Sequence, residues 1–197
     1  MYKVGITGGI GSGKSLVCGL LSERGVAVYD SDSRAKELMH HSESLRNVLV
    51  ETFGGECYVD GALNRRYLAE RVFGDKEALR RLNSIVHPAV MADFAQWAEQ
   101  QSGSYVVIES AILFEAGLEH YVDATVAVMA PEALRLERAM KRDGASEEQI
   151  RERMRNQLSD DERSERATYA IINISLDDLE EDVEQLHRRL SYAAARR

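Results

Sequence analysis

A chain of 197 residues, 44% hydrophobic and 29% charged with two prolines, can bury one substantial core and carry a smaller lobe beside it, but hardly two independent domains. Its formal charge of −8 argues against a broad nucleic-acid surface, which would need clustered lysine and arginine. No stretch is apolar for long enough to span a bilayer, and Cys18 and Cys57 form neither a disulfide framework nor a metal-ligand pattern, so a cytoplasmic protein with incidental or buried thiols is expected.

The amino terminus enters an apolar run, Val4-Gly5-Ile6-Thr7, without a basic and then apolar leader, and the run reads as a strand. It leads into GGIGSGKS, Gly8 to Ser15, and then into a helical pattern with Leu16, Val17, Leu20 and Leu21 on one side. A strand, a glycine turn and a helix with the spacing G-x-x-x-x-G-K-S fit a phosphate-binding loop. Gly9, Ile10, Gly11, Ser12 and Gly13, with Lys14, Ser15 and Leu16 behind them, would curl around the phosphates of ATP. Lys14 would reach the β- and γ-phosphates, and Ser15 would offer its hydroxyl to Mg²⁺. The helix that follows aims the positive end of its dipole at the same place.

After Gly25, Val26 to Tyr29 reads as a second strand ending at Asp30-Ser31-Asp32. Ligands of open α/β sheets sit beyond the carboxyl ends of strands, so either carboxylate could take a proton from an attacking hydroxyl or hold a water on Mg²⁺. The alternative for Asp32 is a cap on a helix beginning at Ser33. Leu45, Val48, Leu49 and Phe53 then show helical spacing, ended by Gly54-Gly55.

From 58 to 101 helical spacing continues with no strand-like run, which predicts a helical insertion for an acceptor. Pro88 should end or kink the helix at His87, a residue that could equally serve packing or capping. Tyr105 to Glu109 reads as a buried strand with an acid at its end, and Glu109 becomes a second candidate for the metal shell beside a structural hydrogen-bonding role. Ala124 to Ala130 and Tyr169 to Asn173 complete five strands separated by helical stretches, hence a parallel sheet covered on both faces.

Between the last two strands, Arg135, Arg138 and Arg142 share one helix face, Gly144 offers a break, and a second helix starting near Ser146 carries Arg151, Arg153 and Arg155. This is either a lid that brings arginines over a triphosphate or an exposed hairpin of Glu/Arg pairs. Leu176, Leu179, Val183, Leu186 and Leu190 predict an amphipathic helix packed on the sheet, with Ala193 to Arg197 as a frayed tail.

These parts describe an α/β, three-layer P-loop kinase core with a five-stranded parallel sheet over 1–57 and 102–197, a helical acceptor-binding insertion over 58–101 and a helical lid at about 132–158. They stop at an ATP-dependent kinase of a small molecule. A kinase for some other small metabolite, or a nucleotide-dependent switch without an acceptor, remains open. There is no N-K-x-D guanine signature.

The ordered set GITGGIGSGKS (5–15), DSD (30–32), LNRRYLAERVF (63–73), VHP (86–88), ILFE (112–115), RDG (142–144), R-M-R-N-Q (153–157) and Asn173 resembles the dephospho-CoA kinases through nearly the whole chain. The resemblance implies transfer of the ATP γ-phosphate to the ribose 3′-hydroxyl of dephospho-CoA, on a nucleoside-monophosphate-kinase-like core with a helical CoA domain and a lid. It makes Asp32 the base, Lys14 and Ser15 the phosphate and Mg²⁺ ligands, and Arg142 a lid contact to ATP. Arg138 and Asn173 join the nucleotide site, and Arg65 and His87 line the acceptor site. The substrates implied are ATP and dephospho-CoA, with Mg²⁺, no nucleic acid or membrane, and a monomer. Three departures stand out. Glu109-Ser110-Ala111-Ile112-Leu113 stands where the family usually has Pro-Leu-Leu after the third strand, preceded by an aliphatic or acidic pair, which questions the backbone path and a direct metal role for Glu109. Thr168 replaces a common Asp, and Leu16 a common second hydroxyl residue.

Overall fold

The computed structural model describes all residues, Met1–Arg197, and resolves into two compact units, Met1–Asp30 with Trp97–Arg197, and Ser31–Gln96. In chain order the strands are β1 (Tyr2–Gly8), β2 (Ala27–Asp30), β3 (Tyr58–Val59), β4 (Ala62–Leu63), β5 (Tyr105–Glu109), β6 (Ala124–Met129) and β7 (Tyr169–Ile172). The helices are α1 (Lys14–Glu23), α2 (Ser31–His41), α3 (Glu43–Phe53), α4 (Arg65–Val72), α5 (Lys76–Glu99), α6 (Glu132–Asp143), α7 (Glu147–Arg155), α8 (Asp160–Arg166) and α9 (Leu176–Ala195).

In the first unit, five strands form the expected parallel sheet in the order β2-β5-β1-β6-β7. The chain lays β2 and β5 on one side of β1 and β6 and β7 on the other, so the carboxyl end of β1 is a topological switch point where α/β sheets bind ligands. Register then fixes which residues meet there: Ile6 lies beside Glu109, and Glu109 beside Asp30. Val4, Ile6, Val107, Val126 and Val128 are fully buried and pack with Val17, Leu21, Leu179, Val183 and Leu190, so α1 and α9 cover one face. Each such side chain is worth roughly 1.5–3 kcal/mol. The alternate residues Val106, Ile108 and Ala127 are equally buried on the other face, which is why these strands read as continuous apolar runs.

The carboxyl-terminal helix extends further than its sequence suggests. Instead of fraying at Ala193, α9 continues through Ala195, and Arg197 forms an ion pair with Asp123.

The second unit is built around Leu45, Leu49, Cys57, Tyr58 and Leu68, with Leu82 and Ile85 of α5 packed against them. Here the expectation of unbroken helix is corrected. Tyr58–Val59 and Ala62–Leu63 pair as an antiparallel hairpin whose turn residues Asp60 and Gly61 have φ of 50° and 83°. A hairpin with two residues on each side is too short to impose a period-2 pattern, so only the Asp-Gly pair could have marked it. Pro88 does not end a helix either. α5 runs from Lys76 to Glu99 with Pro88 inside, because the proline removes a single N–H while Val86, Val90, Met91 and Phe94 around it are buried. α2 begins at Ser31, which puts Asp32 inside its first turn and not at a cap before Ser33.

Candidate functional site

The loop after β1 is shaped by glycine and held by its neighbours. Gly11 and Gly13 have φ of 76° and 89°, a region that costs other residues strain. A Cβ at Gly13 would collide with the Asn173 amide, which donates to the Ser12 carbonyl at 2.8 Å. The Ser12 N–H donates to the Gly9 carbonyl at 3.0 Å, closing the turn that delivers the chain into α1. Lys14 and Ser15 thereby stand at the positive end of a helix.

Both side chains converge on one carboxylate. Lys14 Nζ lies 2.5 Å from Glu109 Oε1, and Ser15 Oγ donates to the same oxygen at 2.6 Å. The strand register explains the convergence, since β5 ends on Glu109 beside β1. The main chain continues cleanly through the Ser110-Ala111 departure, with Ser110 N–H donating to the Ile6 carbonyl at 3.0 Å. Asp30 is Glu109's partner on β2 and Asp32 is two residues further along the chain, in the first turn of α2. Behind the loop helix, Cys18 is 3% exposed. Burial first, and the nearby Glu109 charge second, push its thiol well above the ordinary cysteine range.

Arg135, Arg138 and Arg142 share a face of α6 but meet different surroundings. Arg135 is buried, with Nε on the Ile10 carbonyl at 3.1 Å and a terminal nitrogen on Asp160 at 2.9 Å. Arg138 donates to the main-chain carbonyls of Asn173 and Ile174 at 3.1 and 3.2 Å, so it and Asn173 form one hydrogen-bonded pair beside the loop. Arg142 is exposed and bonded to Asp143, which also accepts from Arg153 of α7 at 2.6 Å. Those two guanidinium groups, Arg142 first, hold the Asp143 carboxyl well below the usual carboxylate range. The helical pair has the expected punctuation: Gly144 closes α6 in a left-handed turn, and Ser146 and Gln149 make a reciprocal capping box on α7.

The sequence model of the dephospho-CoA kinase family matches residues 2–178. The chain belongs to this family. A dephospho-CoA kinase of Salinibacter ruber is 47% identical over 177 residues, covering 88% of this chain and 89% of its own. A solved protein of Thermus thermophilus superposes with a TM-score of 0.83 at 37% identity, over 96% of this chain and 97% of that one. A dephospho-CoA kinase of Campylobacter jejuni shares the fold with a TM-score of 0.68 at 22% identity, over 97% and 98% of the two chains. The chain is therefore an enzyme, an ATP-dependent phosphotransferase with an alcohol acceptor.

The second unit has side-chain ties of its own. α2, which carries Asp32, is fastened to α5, which carries His87, by a bidentate pair of Arg34 with Asp93 at 3.0 and 2.8 Å. Arg65 opens α4 and, with Lys36, Met39, Leu63, Leu68 and Val72, lines an apolar cavity of about 220 Å³. His87 lies elsewhere on α5, half-buried, and burial pushes its imidazole below the usual histidine value, toward the neutral form at pH 7. Thr168 exchanges two hydrogen bonds of 3.0 Å with Thr125: each hydroxyl accepts the other residue's N–H. No helix is long and apolar enough to cross a membrane.

Sequence reasoning missed four participants. Gln157 accepts the Ile10 N–H at 2.8 Å. Asp160 takes Arg135 and Arg163 at 2.9 and 3.3 Å, and Arg163, fully buried, also reaches Glu115 at 3.3 Å. Gln157 and Glu115 fall within R-M-R-N-Q and ILFE, but nothing in those strings says which atoms they meet.

Proposed function

We propose that this enzyme transfers the γ-phosphate of ATP to the ribose 3′-hydroxyl of dephospho-CoA, giving coenzyme A and ADP, with the following division of labour. The observation that carries the reading is the family match over residues 2–178, which takes in the phosphate loop and the helical unit together. With the Ile10 and Ser12 amides already committed to Gln157 and Gly9, the triphosphate is cradled by the N–H groups of Gly11, Gly13, Lys14 and Ser15. Lys14 exchanges Glu109 for the β- and γ-phosphates. Arg138 and Asn173 hold the nucleotide end of the loop, and Arg142 supplies positive charge where negative charge spreads in transfer.

Ser15 Oγ and the Glu109 carboxylate, 2.6 Å apart, are hard oxygen donors of the kind Mg²⁺ takes, one or two from protein and the rest from water and phosphate. Bound there, the ion would neutralise charge on the bridging oxygens. Asp32, in the first turn of α2, is the base: its carboxylate orients the acceptor hydroxyl and receives its proton late. Positioning and charge neutralisation supply most of the rate. Arg65 and His87 belong to the acceptor side, Arg65 as a cation at the apolar cavity and His87 as a neutral hydrogen-bonding ring. We take the enzyme to be a cytoplasmic monomer, in keeping with soluble small-molecule substrates.

The test is ADP release measured with a panel of acceptors. Dephospho-CoA should stimulate it, whereas nucleosides, nucleoside monophosphates and shikimate should not; equal stimulation by any of these would overturn the acceptor assignment. In the same assay Asp32→Asn should lower kcat roughly 10²- to 10⁴-fold with ATP affinity little changed. A near-normal kcat would remove Asp32 from the role.

A further inference from the structure

The tip of the phosphate loop is gripped from outside, on both sides of one residue. Ile10 N–H donates to Gln157 Oε1 at 2.8 Å, and Ile10 C=O accepts from Arg135 Nε at 3.1 Å. The Ile10 side chain packs against a small core of Leu136, Ala139 and Ile150, which belongs to the α6–α7 pair. Arg135 lies near the start of α6 and Gln157 just beyond the end of α7, so the two roots of the helical pair hold the same residue. Arg135 also presses on the loop through its main chain, for a Cβ at Gly11 would collide with its carbonyl.

These bonds have the character of a built support. Arg135 is buried, and a guanidinium is buried at high cost unless it is fully partnered. Its partners are the Ile10 carbonyl and Asp160, and Asp160 is fixed in turn by Arg163, which is fully buried. An N–H donor at Ile10 demands an oxygen opposite it, which selects Oε1 of the Gln157 amide. A glycine-rich loop left free would lose conformational freedom when it closed on phosphates; one already fixed loses less and binds more tightly.

We propose that Gln157 and Arg135 are positioning residues that tie the lid helices to the phosphate loop through Ile10, so that the loop is pre-shaped for the triphosphate and travels with the roots of the lid. The proposal rests on ATP occupying this loop.

Hydrogen exchange of the Ile10 amide, read by NMR on the full chain without nucleotide, and steady-state kinetics with both substrates test it on Gln157→Ala and Gln157→Glu. In Gln157→Ala the Ile10 amide should exchange about 10-fold faster or more. KM for ATP should rise roughly 10-fold while KM for dephospho-CoA stays within about twofold. Gln157→Glu keeps an accepting oxygen and should retain the amide protection. Unchanged exchange in Gln157→Ala, equal rises in both KM values, or exchange in Gln157→Glu as fast as in Gln157→Ala would each overturn the proposal. Because exchange is read without nucleotide, a wild-type chain that failed to bind ATP would sink the nucleotide reading separately, with the grip on Ile10 still measured.

Discussion

At one end of α6, Arg135 is 7% exposed and bonded to a loop carbonyl and to Asp160; about two turns later Arg142 is exposed and meets the carboxylate of its own neighbour, Asp143. Both residues lie on one face of one helix, and only their surroundings separate them. A guanidinium sunk among fixed acceptors contributes to the shape of the protein, whereas one resting on a solvated carboxylate can leave it for a phosphate at little cost. The root of the helical pair is thus structural, and its outer end is held by exposed ion pairs.

The comparison breaks most visibly at the root. Arg135→Ala leaves the Ile10 carbonyl and part of Asp160 without a partner, and should destabilise the enzyme by about 3 kcal/mol, the low end for a broken buried pair because Arg163 remains on Asp160. Thermal denaturation should register this as a fall of roughly 6–12 °C for a chain of this size. A shift below a degree would mean that the root is not structural. At the outer end Arg142→Ala should leave folding stability within about 0.5 kcal/mol of wild type and lower kcat on the order of 10²-fold. A defect confined to KM for dephospho-CoA would show that Arg142 faces the acceptor instead.

The smallest effect concerns His87. Burial lowers its pKa in the folded chain, so as pH falls below about 6.5 the unfolded chain binds a proton that the folded chain resists, and stability is lost in that acid range. His87→Gln should flatten the fall in melting temperature between pH 7.5 and 5.5 and leave the value at pH 7.5 nearly unchanged. An identical acid slope in the two proteins would remove His87 from the account.

What could be read in advance was whatever lies in contiguous residues. Val4 to Ser15 spells a strand, an anion loop and a helix start in order, and the buried strands announce themselves as apolar runs because both faces of the sheet are covered. What escaped was pairing across distance or against habit. Gln157 reaches back to Ile10 across most of the chain, Thr168 finds Thr125, and Arg163 is buried although arginine is usually a surface residue. Pro88 sits inside a helix that neighbouring apolar residues hold together, so a local rule yielded to packing. The β3–β4 hairpin was too brief for any periodicity.

The buried thiol behind the loop helix gives the enzyme a reporter of its own opening. Cys18 is held as a neutral thiol against the sheet, and only the thiolate attacks an alkylating reagent. In the closed protein the labelling clock therefore does not run. It starts when α1 lifts from the sheet far enough for water to reach the sulfur, so the rate at which Cys18 is captured measures how often the helix that presents Lys14 and Ser15 comes away, and its slowing by nucleotide would read the tightening of that helix directly.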